Sequence, residues 1–229
     1  MTHPPPLLLA IDTSTRYAGV ALARGDVLLA EYTWQAGQNH TRQLIPVVRA
    51  VIQENAVTLG DIGLLAVAIG PGSFNGLRVG LATAKAFART LGAPLIAAGT
   101  LEVEAYPHAA FPGPVCAIHD AGRGELAWAT FTGDGPGGWR RLVSEQITQP
   151  GALARTIKRR TLVCGEPPRW GIDALKQQAA ARLVFSSPSA SVRRAADLAE
   201  LAWVRHQAGE HAETETLQPL YLRRPPGGG

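Results

Sequence analysis

The sequence predicts an α/β protein built from two similar halves. Short apolar runs of strand length alternate with stretches of helical periodicity, in the order β-β-β-α-β-α-β, over about the first hundred residues. A comparable order restarts after Pro107–Pro114. An apolar run that ends near an aspartate, followed by a turn and a second run, occurs at Asp12 and again at Asp120. This spacing reads as an internal duplication. The 229 residues suit one large domain or two small ones, and the halves are placed at 1–106 and 107–223, with 224–229 as a disordered tail.

The elements follow in order. Leu7–Ile11, a run around Val20 and Leu22, and Val27–Tyr32 form a three-strand meander, with Gly25-Asp26 as a tight turn. From Asn39 to Asn55, Leu44, Val47, Val48, Val51 and Ile52 share one helical face, opposite Arg49, Gln53 and Glu54. Asn39 or Thr41 is a cap candidate, and Pro46 belongs near the first turn or kinks the helix. Leu64–Ile69 is a continuous apolar strand of the kind buried on both faces. It runs into Gly70-Pro71-Gly72-Ser73-Phe74-Asn75-Gly76 and a second helix, Leu77–Leu91, stopped by Gly92 and Pro94. Leu95–Ala98 is a strand. In the second half, strands are expected at Val115–Ile118, Leu126–Phe131, Trp139–Ile147, Leu162–Cys164 and Leu183–Phe185. Helices are expected at Gly151–Arg160, Ile172–Ala181 and Val192–Gln207.

Composition narrows the class of function. An apolar fraction of 46% supplies a core, and 17% charged residues are too few for a chain disordered throughout. No apolar run approaches the ~20 residues of a membrane span. Leu7–Ile11 follows Pro4-Pro5-Pro6, lacks a basic flank and does not read as a signal peptide, so a soluble cytoplasmic protein without membrane contact is expected. Cys116 and Cys164 sit in apolar runs and read as buried thiols. Residues 1–105 carry seven cations and seven acids, and residues 106–229 carry fifteen and eleven. The cluster Lys158-Arg159-Arg160 suits either a phosphate backbone or a helix C-terminus, and the helix reading is preferred.

Several segments could carry chemistry. The Gly70–Gly76 loop places backbone N–H groups at a helix start, a natural anion site, yet it matches neither the Walker loop nor the dinucleotide fingerprint. The preferred alternative is a tight strand-to-helix turn whose glycines pack against a neighbour; on the anion-site reading, Asp12, Thr13 and Ser14, with Gly70, Gly72 and Ser73, are the candidates for nucleotide or phosphate binding. Asp120-Ala121-Gly122-Arg123-Gly124 could be a second such turn or a plain hairpin. The second helix is apolar nearly all round apart from the stripe Arg78, Lys85 and Arg89. It is either sandwiched within its own domain or in contact with another protein, and Gly76, Gly80 and Ala84 would let a second helix approach closely. His40 stands alone: Leu44 occupies the position one turn later, so no pair of histidines is available to a metal there.

Leu9-Ala10-Ile11-Asp12-Thr13-Ser14-Thr15, His40-Thr41-Arg42-Gln43-Leu44-Ile45-Pro46, Gly70 through Gly80, Asp120-Ala121-Gly122-Arg123-Gly124-Glu125 and Pro219-Leu220-Tyr221-Leu222-Arg223 together resemble the TsaB (YeaZ) family. The Gly-Pro-Gly-Ser-Phe segment with Gly-Leu-Arg is the specific part. The resemblance implies the fold of acetate and sugar kinases, Hsp70 and actin (ASKHA), with two RNase H-like halves, each a mixed β-sheet flanked by helices. It implies a scaffold or dimerisation subunit, not itself catalytic, for N6-threonylcarbamoylation of adenosine 37 in tRNAs that read ANN codons. The implied partners are the catalytic subunit TsaD and the ATPase TsaE, a second copy when alone, and tRNA indirectly through the complex.

No metal and no cofactor of its own are implied, with a nucleotide at a subunit interface left open. The expected partner interface, two helices meeting their equivalents as a four-helix arrangement, comprises His40, Leu44, Val48, Val51, Gly76, Gly80, Thr83, Ala84 and Phe87. Two positions depart from the family pattern: Asn75 for the usual Thr, expected to retain a capping role, and Gly122 for the usual Arg. The rival readings are an ATP-dependent phosphotransferase and a glycoprotease-type metallopeptidase.

Overall fold

The computed structural model describes residues 4–133 and 138–223. The expected disordered tail, 224–229, lies outside the described residues. The opening meander is β1 (Leu7–Asp12), β2 (Tyr17–Arg24) and β3 (Val27–Gln35), with Gly25 at φ +62° in the two-residue turn. Helix α1 (His40–Glu54), β4 (Ile62–Ala68), α2 (Phe74–Leu91) and β5 (Leu95–Ala98) follow. The sheet order is β3-β2-β1-β4-β5, with β1 antiparallel to β2 and parallel to β4.

After a short α3 (Thr100–Ala105) the pattern repeats as β6 (Val115–Asp120), β7 (Leu126–Thr132), β8 (Arg140–Thr148), α4 (Pro150–Thr156), β9 (Thr161–Glu166), α5 (Arg169–Ala179) and β10 (Leu183–Phe185). This sheet runs β10-β9-β6-β7-β8, the same order and the same parallel and antiparallel pairings as the first. The duplication inferred from Asp12 and Asp120 is therefore structural: both residues end the central strand of their sheet. Among the described residues the last helix is α6 (Ala195–Gln207).

Two compact units result, but not by a cut at 106/107. One consists of the chain up to Thr100 together with Arg194–Tyr221; the other consists of Leu101–Arg193 with Leu222 and Arg223. Helix α3 packs on the second sheet, where Leu101 and Ala105 join Val115, Ala129 and Phe131 in one cluster. Helix α6 packs on β1, β2 and β5 of the first. Each half therefore sends its last helix to the other unit.

In the first unit β1 is buried along its whole length because both faces of the sheet are covered. Leu7, Leu9 and Ile11 point to α1 and α2, meeting Leu44, Val48, Val51, Leu81, Ala84 and Ala88. On the other face α6 presents Ala195, Leu198, Ala199 and Ala202. Its alanines allow close approach: a Cβ added at Gly19 would sit 3.0 Å from Ala195 Cβ. Glu31 of β3 fixes the start of α6, pairing with Arg194 at 2.5 Å and accepting the Ala196 N–H at 3.0 Å, so an acid stands at the positive helix end.

Several expected helix bounds shift, and α5 begins three residues early, at Arg169 rather than Ile172. Helix α2 begins at Phe74 because Ser73, with extended backbone, accepts the Gly76 N–H at 3.3 Å. Asn75 therefore lies inside the helix, and the expected capping role belongs to Ser73. Helix α4 ends at Thr156, whose hydroxyl turns back onto the Leu153 carbonyl, and Ile157 is extended. Helix α6 starts at Ala195, after the extended Arg194. Pro46 sits within α1, past its first turn.

Candidate functional site

The segments proposed for phosphate binding do come together, all within the first unit. The β1–β2 turn folds over itself: the Ser14 N–H and hydroxyl both donate to Asp12 Oδ1, at 2.8 and 2.6 Å. Asp12, Thr13 and Ser14 are all buried. The β4–α2 loop lies directly against this turn. Ser73 N–H donates to the Ser14 carbonyl at 2.7 Å, and the Thr13 hydroxyl donates to the Gly76 carbonyl at 2.7 Å.

Glycine is required for that approach. A Cβ at Gly72 would collide with the Ser14 carbonyl oxygen, one at Gly76 with the Thr13 carbonyl oxygen, and one at Gly80 with Thr13 Oγ1, each at under 3.0 Å. The i, i+4, i+8 stripe thus accommodates the protein's own turn. This corrects the expectation that Gly76 and Gly80 open α2 to a partner helix. It also fills the anion site, because the Ser73 N–H that a phosphate would use already holds Ser14. Gly70 packs under Leu220, whose carbonyl oxygen stands 2.7 Å from where its Cβ would be, and its own carbonyl accepts the Thr100 N–H at 2.7 Å.

The nine expected interface residues divide by burial. His40, Leu44, Val48, Val51, Gly76, Gly80 and Ala84 are buried inside their own unit, while Thr83 and Phe87 are half-buried. His40 Nε2 lies 2.8 Å from the Thr15 carbonyl oxygen. A carbonyl only accepts, so Nε2 carries the proton and His40 ties the start of α1 to the β1–β2 turn. The outward side of α2 carries small residues, with Ala86 and Thr90 exposed beside Thr83 and Phe87. On α1, Ile45 is 44% exposed.

The charged stripe of α2 is used by the end of the chain. Lys85 Nζ donates to the carbonyls of Glu215 and Leu217 at 3.0 and 3.2 Å, and Arg89 meets Glu215 at 3.4 Å. Arg78 lies 5.2 Å over the Phe74 ring, which packs on Tyr221 at 5.3 Å. Leu220 N–H donates to the Ile69 carbonyl. Within the second unit, Arg223 pairs with Glu125 and donates to the Ala121 carbonyl at 3.1 Å, holding the β6–β7 turn. In that turn Gly122 and Gly124 adopt φ +72° and +73°, and Asp120 Oδ1 accepts the Gly122 N–H at 2.7 Å. The Pro219–Arg223 block, which sequence spacing left without a role, thus braces two motifs.

One charged cluster escaped sequence reasoning altogether. Glu104, His119, Glu166 and Arg193 meet inside the second unit. His119 Nε2 lies 2.6 Å from Glu104 Oε1, and Arg193 Nη1 lies 3.0 Å from Glu104 and 3.4 Å from Glu166. The ligand atoms of the two glutamates and the histidine lie within 4.8 Å of one another, close enough to share a metal ion. Arg193 already supplies a cation between the carboxylates, and the free Glu104 oxygen faces Gly165, whose added Cβ would be 2.6 Å away. The arrangement fits a buried ion network better than a metal cradle. Burial also pushes the Cys116 thiol up to about 12 and Cys164 well above its ordinary value, so neither is a thiolate nucleophile near neutrality.

Comparison with known proteins agrees with this architecture. The family model described as TsaD, tRNA N6-adenosine threonylcarbamoyltransferase, matches residues 34–222. A Bacillus subtilis relative named tRNA threonylcarbamoyladenosine biosynthesis protein TsaB is 37% identical over 119 residues, so the chain spans about half of its length (52% of each). The Escherichia coli protein of the same name is 29% identical over 221 residues, 94% of each chain. A solved Pseudomonas aeruginosa structure, described as an uncharacterized protein with similarity to peptidase YEAZ, superposes with a TM-score of 0.80. It is 28% identical and covers 95% of this chain and 100% of that one. A Thermus thermophilus ROK hexokinase, 11% identical with a TM-score of 0.51 over 89% of this chain and 100% of that one, shares the fold alone and places it in the actin-like ASKHA class. With two matched five-stranded sheets, a glycine-lined turn and a family match that covers most of the chain, the protein belongs to the TsaB/YeaZ family.

Proposed function

We propose that this chain is a non-catalytic subunit of the machinery that places threonylcarbamoyl on N6 of adenosine 37 in tRNAs reading ANN codons. In this reading it docks on a catalytic TsaD-type partner and serves a TsaE-type ATPase. It pairs with itself when alone and acts in the cytoplasm. The carrying observation is the filled turn. The β4–α2 loop, which offers backbone N–H groups at a helix start, is closed by Thr13 and Ser14, through hydrogen bonds at 2.7 Å that a nucleotide would have to displace. Asp12, the residue a phosphotransferase would aim at a metal-bound phosphate, is buried and satisfied by Ser14. The same observation weighs against the phosphotransferase reading.

The docking face is the outward side of the α1/α2 layer, not the buried residues beneath it. Thr83, Ala86, Phe87 and Thr90 of α2, with Ile45 of α1, offer a low-relief apolar strip on which a partner's helices can lie. Ala86→Arg adds bulk and charge at an exposed position and leaves the core untouched. Mixed with TsaD and measured by light scattering, the wild-type chain should form a complex, and Ala86→Arg should weaken it by tenfold or more. A complex indifferent to Ala86→Arg and to Thr83→Arg would remove this face from the account.

A further inference from the structure

We propose that the second unit carries a surface for the phosphate backbone of a structured RNA, formed by Arg155, Lys158, Arg159, Arg160 and Arg182. This rests on the functional reading above and names a direct partner for it. The helix-end explanation covers Arg155, which stands in the last turn of α4, but not its three neighbours. Helix α4 stops at Thr156, so Lys158, Arg159 and Arg160 lie beyond its last turn, where the helix dipole has little hold.

All four residues from Arg155 to Arg160 in the set are exposed, and among the described residues none of the five makes an ion pair. The strands bring Arg182 beside the end of the 155–160 segment. Thr161 opens β9 and pairs in parallel with Leu183, which opens β10. Arg160 and Arg182 therefore stand at neighbouring strand starts, about 4.8 Å apart in the sheet. Arg160 is propped 5.5 Å over the Phe111 ring, which fixes its direction.

Charge is concentrated here rather than spread over the molecule. Between Leu101 and Arg193 eleven cations face eight acids, whereas the first unit holds nine cations against ten acids. An anionic membrane would also attract such a patch. Membrane-bound basic surfaces add apolar side chains that insert, and no large apolar residue is exposed beside these five among the described residues. Four guanidinium groups and a lysine instead suit the spaced phosphates of a folded nucleic acid.

The test measures binding of an unmodified tRNA transcript to the full chain by fluorescence anisotropy across a potassium chloride series. The Lys158→Ala/Arg159→Ala/Arg160→Ala variant should bind about tenfold or more weakly near 0.1 M salt, with the log–log salt slope reduced by about 2–3. Arg159→Lys/Arg160→Lys should retain most of the affinity. Circular dichroism and the unfolding midpoint, unchanged in both variants, exclude misfolding. Equal affinity and slope for the triple variant would overturn the proposal. So would tighter binding to phosphatidylserine vesicles than to tRNA. A chain that binds tRNA in this way but does not support threonylcarbamoylation would sink the functional reading and leave this surface standing. A triple variant with unaltered tRNA affinity in a chain that does support modification would do the reverse.

Discussion

Gly80→Ala should destabilise this protein, although the same change in most helices does the opposite. In an exposed helix interior, alanine is favoured over glycine by about 1 kcal/mol. Here the new Cβ would fall on Thr13 Oγ1. To make room, the hydroxyl must leave the Gly76 carbonyl, to which it donates at 2.7 Å in a buried setting, at a cost of about 1 kcal/mol. Overpacking adds ~1–3 kcal/mol. The net expectation is a loss of about 1–3 kcal/mol. Thr13→Ala removes the obstacle: the remaining Cβ lies 3.5 Å from the new methyl group, an ordinary contact. In that background Gly80→Ala should be neutral or stabilising by up to ~1 kcal/mol. The double-mutant cycle, read from urea unfolding by circular dichroism, should therefore give a coupling of about 1–4 kcal/mol. A Gly80→Ala variant more stable than wild type, or a coupling near zero, would refute the claim that the glycine stripe exists for the β1–β2 turn.

Three further outcomes follow from the structure. Burial is the main cause that raises Asp197 from 3.8 to about 6, so the folded state holds its proton more tightly than the unfolded chain. Stability from this group is greatest below about pH 4 and is lost as pH rises through about 6. Asp197→Asn should then be more stable than wild type at pH 7.5 by up to ~2–3 kcal/mol, less what the helix N-terminus loses, with the advantage gone at pH 4, as thermal melts at the two pH values would reveal. Arg193→Met should cost about 3–5 kcal/mol in the same urea assay, because the buried Glu104 and the half-buried Glu166 would lose the cation between them; adding Glu104→Gln should recover part of the loss. Gly165→Ala should prevent accumulation of soluble protein: its φ is +91°, and the new Cβ would stand 2.6 Å from Glu104 Oε2 and 2.7 Å from the Ile118 carbonyl oxygen.

Much of this architecture was legible in the order of residues, for reasons that also explain what was not. Strands such as Leu7–Asp12 and Ile62–Ala68 announce themselves because both their faces are buried and every side chain must be apolar. The duplication was visible because each central strand ends at an aspartate. The exchange of α3 and α6 between units left no trace, since an amphipathic helix records that it is covered but not which sheet covers it. Helix α3 is only six residues long and ends beside Tyr106-Pro107, too short to establish a period. The glycines at 76 and 80 correctly signalled a close approach; the spacing could not say that the visitor is Thr13 rather than another protein. Glu104, His119, Glu166 and Arg193 are scattered over ninety residues: the β6–β9 pairing joins His119 to Glu166, while Glu104 comes from α3 and Arg193 from the segment before α6, so no local pattern marks them.

Unmodified tRNA, threonylcarbamoyl-adenylate synthase, TsaD and TsaE can be combined with and without this chain, and N6-threonylcarbamoyladenosine can be quantified by mass spectrometry of the digested tRNA. The modified nucleoside should form at an appreciable rate only when the wild-type chain is present, and Ala86→Arg should support little of it. Full modification without the chain, or equal rescue by Ala86→Arg and wild type, would contradict this expectation.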